Sequence, residues 1–78
     1  MLNIEKVNNV HIAKFENADR FNALITEQVK EELKAVFNEK GVNLALNLEG
    51  IKFIDSSGFG VFLSIMKTAA NTQGHLKI

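Results

Sequence analysis

The chain has no cysteine, proline, tryptophan or tyrosine among its 78 residues. Without cysteine there is no disulfide and no thiolate metal ligand, as is usual in a reducing compartment. Without proline or a Ser/Gly-rich tract nothing marks a linker, a repeat or a boundary, so residues 1–78 read as one domain. An excess of one charge is also missing. Nine basic and nine acidic residues cancel, which leaves no overall field to gather nucleic acid or an anionic membrane. No apolar run is long enough to span a bilayer. Met1-Leu2-Asn3-Ile4-Glu5 lacks the basic start and long apolar stretch of a signal peptide. These absences predict a cytoplasmic protein with neither nucleic acid nor membrane as a direct partner.

What is present is an apolar fraction of 46%, normal for a globular chain. A core this small seldom supplies more than about 3–5 kcal/mol net. Residues 2–7 and 10–15 are rich in Ile, Val and Phe and read as strands. Asn8-Asn9 between them tolerates the positive φ of a tight hairpin. Residues 17–22 form a connecting loop in which Asn22 or Asp19 is available as a helix cap. The spacing predicts a helix over 23–40, with Ile25, Val29, Leu33, Val36 and Phe37 on one face. Thr26, Glu27, Lys30, Glu31 and Lys34 face water, and the charge run from Glu27 to Lys34 reads as a solvated face. Gly41 is the expected stop. Residues 42–48 alternate with a period of two, as a strand does. A second helix follows Ser57 and ends near Gln73-Gly74, and His75-Leu76-Lys77-Ile78 begins another strand. The order β-β-α-β-α-β implies parallel strands joined through helices that cover a mixed α/β sheet. Such a sheet leaves an edge open and apolar surface uncovered, which predicts that the chain associates with a further copy or is unstable alone.

The segment richest in chemistry is Phe53-Ile54-Asp55-Ser56-Ser57-Gly58-Phe59-Gly60. It places two hydroxyls at a helix N-terminus, where unpaired N–H groups and the dipole favour an anion. Asp55 reads as an N-cap that accepts from the N–H of Ser57 or Gly58 and fixes where the Ser56 hydroxyl points. At ~100° per residue, Ser57, Gly60, Ser64, Lys67, Thr68 and Asn71 form a narrow polar stripe, with Ser56 at its margin. Small residues there, Gly58, Gly60 and Ser64, let another backbone come close, so this side is expected to meet a partner. Phe62 sits at the centre of the apolar arc. Phe59 and Phe21 each read either as core or as an exposed anchor. His11 and His75 are isolated, with no second ligand at metal-binding spacing. A Ser-His-Asp triad is disfavoured because adjacent Asp55 and Ser56 cannot flank one imidazole as orienter and nucleophile. Gly58-Phe59-Gly60 lacks the third glycine of a dinucleotide loop.

The order of elements, with Leu46-Asn47-Leu48-Glu49 and the Asp55-Ser56-Ser57-Gly58-Phe59-Gly60-Val61 stretch, resembles the STAS domain. More narrowly it resembles the bacterial anti-anti-sigma factors, or anti-sigma factor antagonists. The resemblance implies a non-enzymatic, cofactor-free binding module whose phosphoacceptor is Ser56, the serine directly after the aspartate. It implies an anti-sigma factor with serine kinase activity as partner, a phosphatase that resets the cycle, and release of a sigma factor when the unphosphorylated protein binds. Asp55, Ser57, Gly58, Phe59, Gly60 and Ser64 would frame the docking surface, with Asp19 and Phe21 on the side where the loops gather. Family members carry a further helix, strand and helix after the position of Ile78, so the resemblance covers an incomplete domain. Glu16-Asn17-Ala18-Asp19 keeps only the aspartate of the family's Gly-x-Leu-Asp segment. An alternative within the family is a subunit or ligand-sensing module of a lipid-transport assembly or stressosome.

Overall fold

The computed structural model describes residues 2–78. Strands β1 (Leu2–Val7) and β2 (Val10–Phe15) pair antiparallel, from Leu2 opposite Phe15 to Val7 opposite Val10. Asn8 and Asn9 turn the hairpin at φ 51° and 69°, the left-handed values that a two-residue loop demands and asparagine tolerates. The chain continues through β3 (Arg20–Phe21), α1 (Thr26–Val36), β4 (Asn43–Asn47), β5 (Phe53–Ile54), α2 (Ser56–Asn71) and β6 (His75–Lys77). The main sheet has the order β1-β2-β4-β6, and β4 lies parallel to both its neighbours. Both helical crossovers step in the same direction along the sheet. With the usual right hand, that puts α1 and α2 side by side on one face.

Alternation decides which side chains those helices cover. Ala13 and Phe15 of β2 and Leu44 and Leu46 of β4 are buried. They meet Val29, Leu33 and Phe37 from α1 and its end, and Val61, Phe62, Ile65 and Ala69 from α2. The expected α/β architecture is therefore present.

Several local expectations are corrected. The first helix is shorter than 23–40, because residues 23–25 form a turn hung from Asn22. The N–H groups of Ile25 and Thr26 donate to the Asn22 carbonyl at 3.0 and 3.2 Å, and that of Leu24 donates to Asn22 Oδ1 at 3.0 Å. Neither Asn22 nor Asp19 caps α1, whose N-cap residue is Ile25 with no side-chain bond. At the other end Phe37 leaves helical geometry and buries its ring. Gly41, at φ +80°, turns the chain ahead of β4 rather than ending the helix directly. Thr26 is buried, not solvated. Strand β3, which pairs with β5 and puts Phe21 opposite Ile54, was not among the expected strands. Two residues each are too few for alternation to be visible.

The mouth of helix α2 as the candidate functional site

The β3–β5 pair leads straight into the serine segment. Asp55 N–H donates to the Phe21 carbonyl at 3.2 Å, which ties the start of α2 to β3. Asp55 then stands as the N-cap in extended conformation. Its Oδ1 accepts the Gly58 N–H at 3.0 Å and the Ser57 hydroxyl at 2.6 Å. The Ser57 hydroxyl, and next the Gly58 N–H, hold the Asp55 carboxyl below its ordinary value, since both bond the charged form.

The cap is the expected one, with the Gly58 N–H as donor; the side-chain hydroxyl that Asp55 takes in addition is that of Ser57. Ser56 is exposed at the first position of the helix. Its N–H and that of Ser57 have no preceding helical carbonyl to bond. The two serines thus differ: one hydroxyl is engaged by the cap, the other faces solvent.

Two residues expected at a docking surface lie in the interior instead. Phe21 is fully buried, with its ring centroid 5.3 Å from that of Phe15 and 5.2 Å from that of Phe62. Gly58 is also buried. A Cβ there would lie 2.9 Å from the Phe21 carbonyl oxygen and 2.9 Å from Ile54 Cγ2. The glycine is needed for the helix to approach β3 and β5, and it is not offered to a partner. Asp19 is exposed beside Arg20, 4.0 Å from its Nε, at the far end of the β3–β5 pair from Ser56. Arg20 in turn lies over the Phe53 ring, 5.2 Å from its centroid.

The orientation of α2 differs from the expectation in a way that matters for recognition. Ser57, Ser64 and Thr68 are half-buried. Across the helix, Phe59 is 57% exposed, Leu63 66% and Met66 50%. Those three residues join Ser56 and Gly60 on one solvent-facing surface, and around Gly60 there is open space. Leu63 and Met66 were not among the residues expected at the docking surface. The signal was available, because the apolar arc of α2 is wider than the one stripe of roughly 100° or a little more by which a helix on a sheet usually faces its core.

A match to the STAS domain family extends over residues 3–78. The chain belongs to the STAS domain family. Among solved structures, the anti-sigma factor antagonist SpoIIAA in its unphosphorylated form is similar with a TM-score of 0.76 at 22% identity, over 100% of this chain and 68% of that one. The Bacillus cell fate determinant SpoIIAA in the phosphorylated form is similar with a TM-score of 0.75 at 20% identity, over 100% of this chain and 70% of that one. At such identities the likeness establishes the fold. A comparison with curated proteins gave no match. In this STAS domain no described helix is long and apolar enough to cross a membrane.

Proposed function

We propose that this STAS domain is the phosphate-accepting half of a partner switch, an anti-sigma factor antagonist whose acceptor is Ser56. The observation that carries the reading is the division of labour at the mouth of α2. Ser57 is bound to Asp55, whereas Ser56 is exposed beside Phe59, Gly60 and Leu63. A kinase would transfer the γ-phosphoryl group of ATP to Ser56 Oγ, releasing ADP and a proton. The domain itself is acceptor and binder, not catalyst. Its unphosphorylated form would hold an anti-sigma factor that is also the serine kinase, and a phosphatase would restore that form. The setting is the cytoplasm.

The electrostatics give the switch its direction. A phosphate adds a charge of about −1.5 to −2 next to Asp55. The start of an exposed helix offsets about 0.3–1 kcal/mol of the resulting repulsion. Because Ser56 faces water, the folded domain keeps the new charge solvated. A partner packed over Ser56, Phe59 and Gly60 would have to bury it without a counter-ion, at a far larger cost. Phosphorylation should therefore weaken binding more than folding. The near-equal likeness of this chain to SpoIIAA in both forms agrees with a fold that tolerates the modification.

The test mixes the protein with an anti-sigma factor kinase and ATP and locates the incorporated phosphate. One phosphate at Ser56, still incorporated in Ser57→Ala, is expected. Ser56→Ala should bind the kinase as wild type does, and Ser56→Asp should lose binding while melting cooperatively. If Ser56→Asp binds as tightly as wild type, the charge switch is wrong. No phosphate at Ser56, together with stable association with a membrane-transport complex, would instead assign the domain to that kind of assembly.

A further inference from the structure

The main sheet has a second face, turned away from both helices. Alternation points Ala13, Leu44 and Leu46 toward the helices, so their strand neighbours Ile12, Asn43, Ala45 and Asn47 point the other way. The register carries this face across all four strands. Glu5, Ile12, Ala45 and Lys77 lie in one row, and Val7, Val10, Asn43 and His75 lie in the next. Val7, Val10, Ile12 and Ala45 are contiguous, yet none belongs to the hydrophobic core or packs against it. Val7 is 46% exposed. Parallel strands such as β2, β4 and β6 are usually covered on both faces, and the apolar centre of this face gains most from cover.

The charges on this face indicate what covers it. Glu5 closes the first row at the β1 edge and Lys77 closes it at the β6 edge, and both are exposed. Three strand spacings hold them about 14 Å apart, too far to pair with each other. Among the described residues neither has an ion-pair partner. A row with an acid at one end, a base at the other and Ile12 and Ala45 between them is complementary to its own reverse. A two-fold axis parallel to the strands supplies that reverse, setting β1 over β6 of a second copy and β2 over its β4. Each Glu5 then faces a Lys77, and Ile12 meets Ala45 between the two pairs. Sheets stack about 10 Å apart, within reach of a glutamate and a lysine extended toward each other. A two-fold axis across the strands would instead set Glu5 over Glu5 and Lys77 over Lys77, and like charges oppose that arrangement.

We propose that this open face binds a second copy of the same chain, sheet on sheet, with Glu5 of each copy paired to Lys77 of the other. Four strands of about five residues offer roughly 300 Å² per copy, below the roughly 800 Å² per partner of a standard interface. The dimer is therefore weak and reversible. Helix α2 lies on the other side of the sheet, so both Ser56 mouths stay open in the dimer. The inference does not rest on the phosphorylation of Ser56.

The experiment is sedimentation equilibrium of the whole chain from about 10 μM to about 1 mM, the range of weak association, with amide NMR shifts followed over the same dilution. A monomer–dimer equilibrium is expected, with concentration-dependent shifts at Val7, Val10, Ile12 and Ala45. By symmetry, Glu5→Lys and Lys77→Glu each set like charges opposite at two places, and each should weaken the dimer about tenfold or more. The double variant restores both pairs and should dimerise as wild type does. Glu27→Lys makes the same change in net charge on the exposed surface of α1 and should leave the dimer unchanged, as should Ser56→Asp. Should a charge variant not fold, the wild-type dilution map still decides. A monomer throughout, a dimer that neither single variant weakens, or no recovery in the double variant would each overturn the proposal. So would an equal loss in Glu27→Lys, or shifts confined to Phe59, Leu63 and Met66.

Discussion

Helix α2 begins with a carboxylate whose Oδ1 accepts both the Gly58 N–H and the Ser57 hydroxyl, whereas α1 begins at Ile25 with no side-chain cap at all. The two starts nevertheless lean on adjacent residues. The Phe21 carbonyl receives the Asp55 N–H, and the Asn22 carbonyl receives the N–H groups of Ile25 and Thr26. The uncapped helix is therefore set by a backbone turn and by burial of Thr26, Val29 and Leu33. The capped helix is set by side-chain bonds that leave Ser56 at the surface while Gly58 packs inward. A helix mouth built by a cap can present Ser56 to another molecule. At α1 the one hydroxyl of the first turn, that of Thr26, is buried. The difference explains why the candidate switch lies at α2, although both helices start on the same side of the sheet.

The sharpest way to break this comparison is to remove the buried ring of Phe21, whose carbonyl anchors the α2 mouth. Phe21→Ala deletes a fully buried ring wedged between Phe15 and Phe62. Such truncations cost about 3–5 kcal/mol, comparable to the whole stability of so small a core. The expected result is loss of cooperative melting by circular dichroism, and a melt like that of wild type would remove Phe21 from the core. A smaller effect separates the two glycines of α2. Gly58→Ala drives a Cβ against the Phe21 carbonyl, which is backbone and cannot swing aside, and overpacking of this kind costs about 1–3 kcal/mol. Gly60→Ala meets open space and should gain about 0.5–1 kcal/mol from helix propensity. Chemical denaturation of both variants reads the two signs directly. Destabilisation by both would mean that Gly60 has an unseen contact in the free domain.

The same contrast governs what was legible in the sequence. The hairpin at Asn8-Asn9, the alternation of β4 and the Asp55 cap are local, so residue type and spacing announce them. The STAS family was legible for the same reason, since its motif is one unbroken segment. The burial of Phe21 and Gly58 was not legible, because it follows from the short β3–β5 pair, whose partners are 33 positions apart in sequence (Phe21 and Ile54). Glu32 was hidden differently. It sits inside a charge run that reads as solvated, yet one of its oxygens is shielded from water. The exposure of Leu63 and Met66 likewise depends on how α2 is rotated against the core, a tertiary fact that a helical wheel does not contain.

The smallest expected effect tests the cap alone. Asp55→Asn keeps an amide oxygen able to accept from Gly58 and Ser57, and asparagine is as good an N-cap as aspartate, so the variant isolates the charge. In the folded wild type the Asp55 carboxyl lies below its ordinary value, while in the unfolded chain it returns to about 3.9. The stabilisation is then fully present above that unfolded value and is lost as pH falls through it toward the folded one. Melting temperatures followed downward from neutral pH should separate only in the acid limb, below about pH 4. There wild type should fall more steeply than Asp55→Asn. Because the group is solvated, the separation should be small and should shrink with added salt. Parallel acid limbs would mean that the Ser57 hydroxyl and the Gly58 N–H serve the neutral and charged forms alike, leaving α2 no more dependent on charge at its mouth than α1.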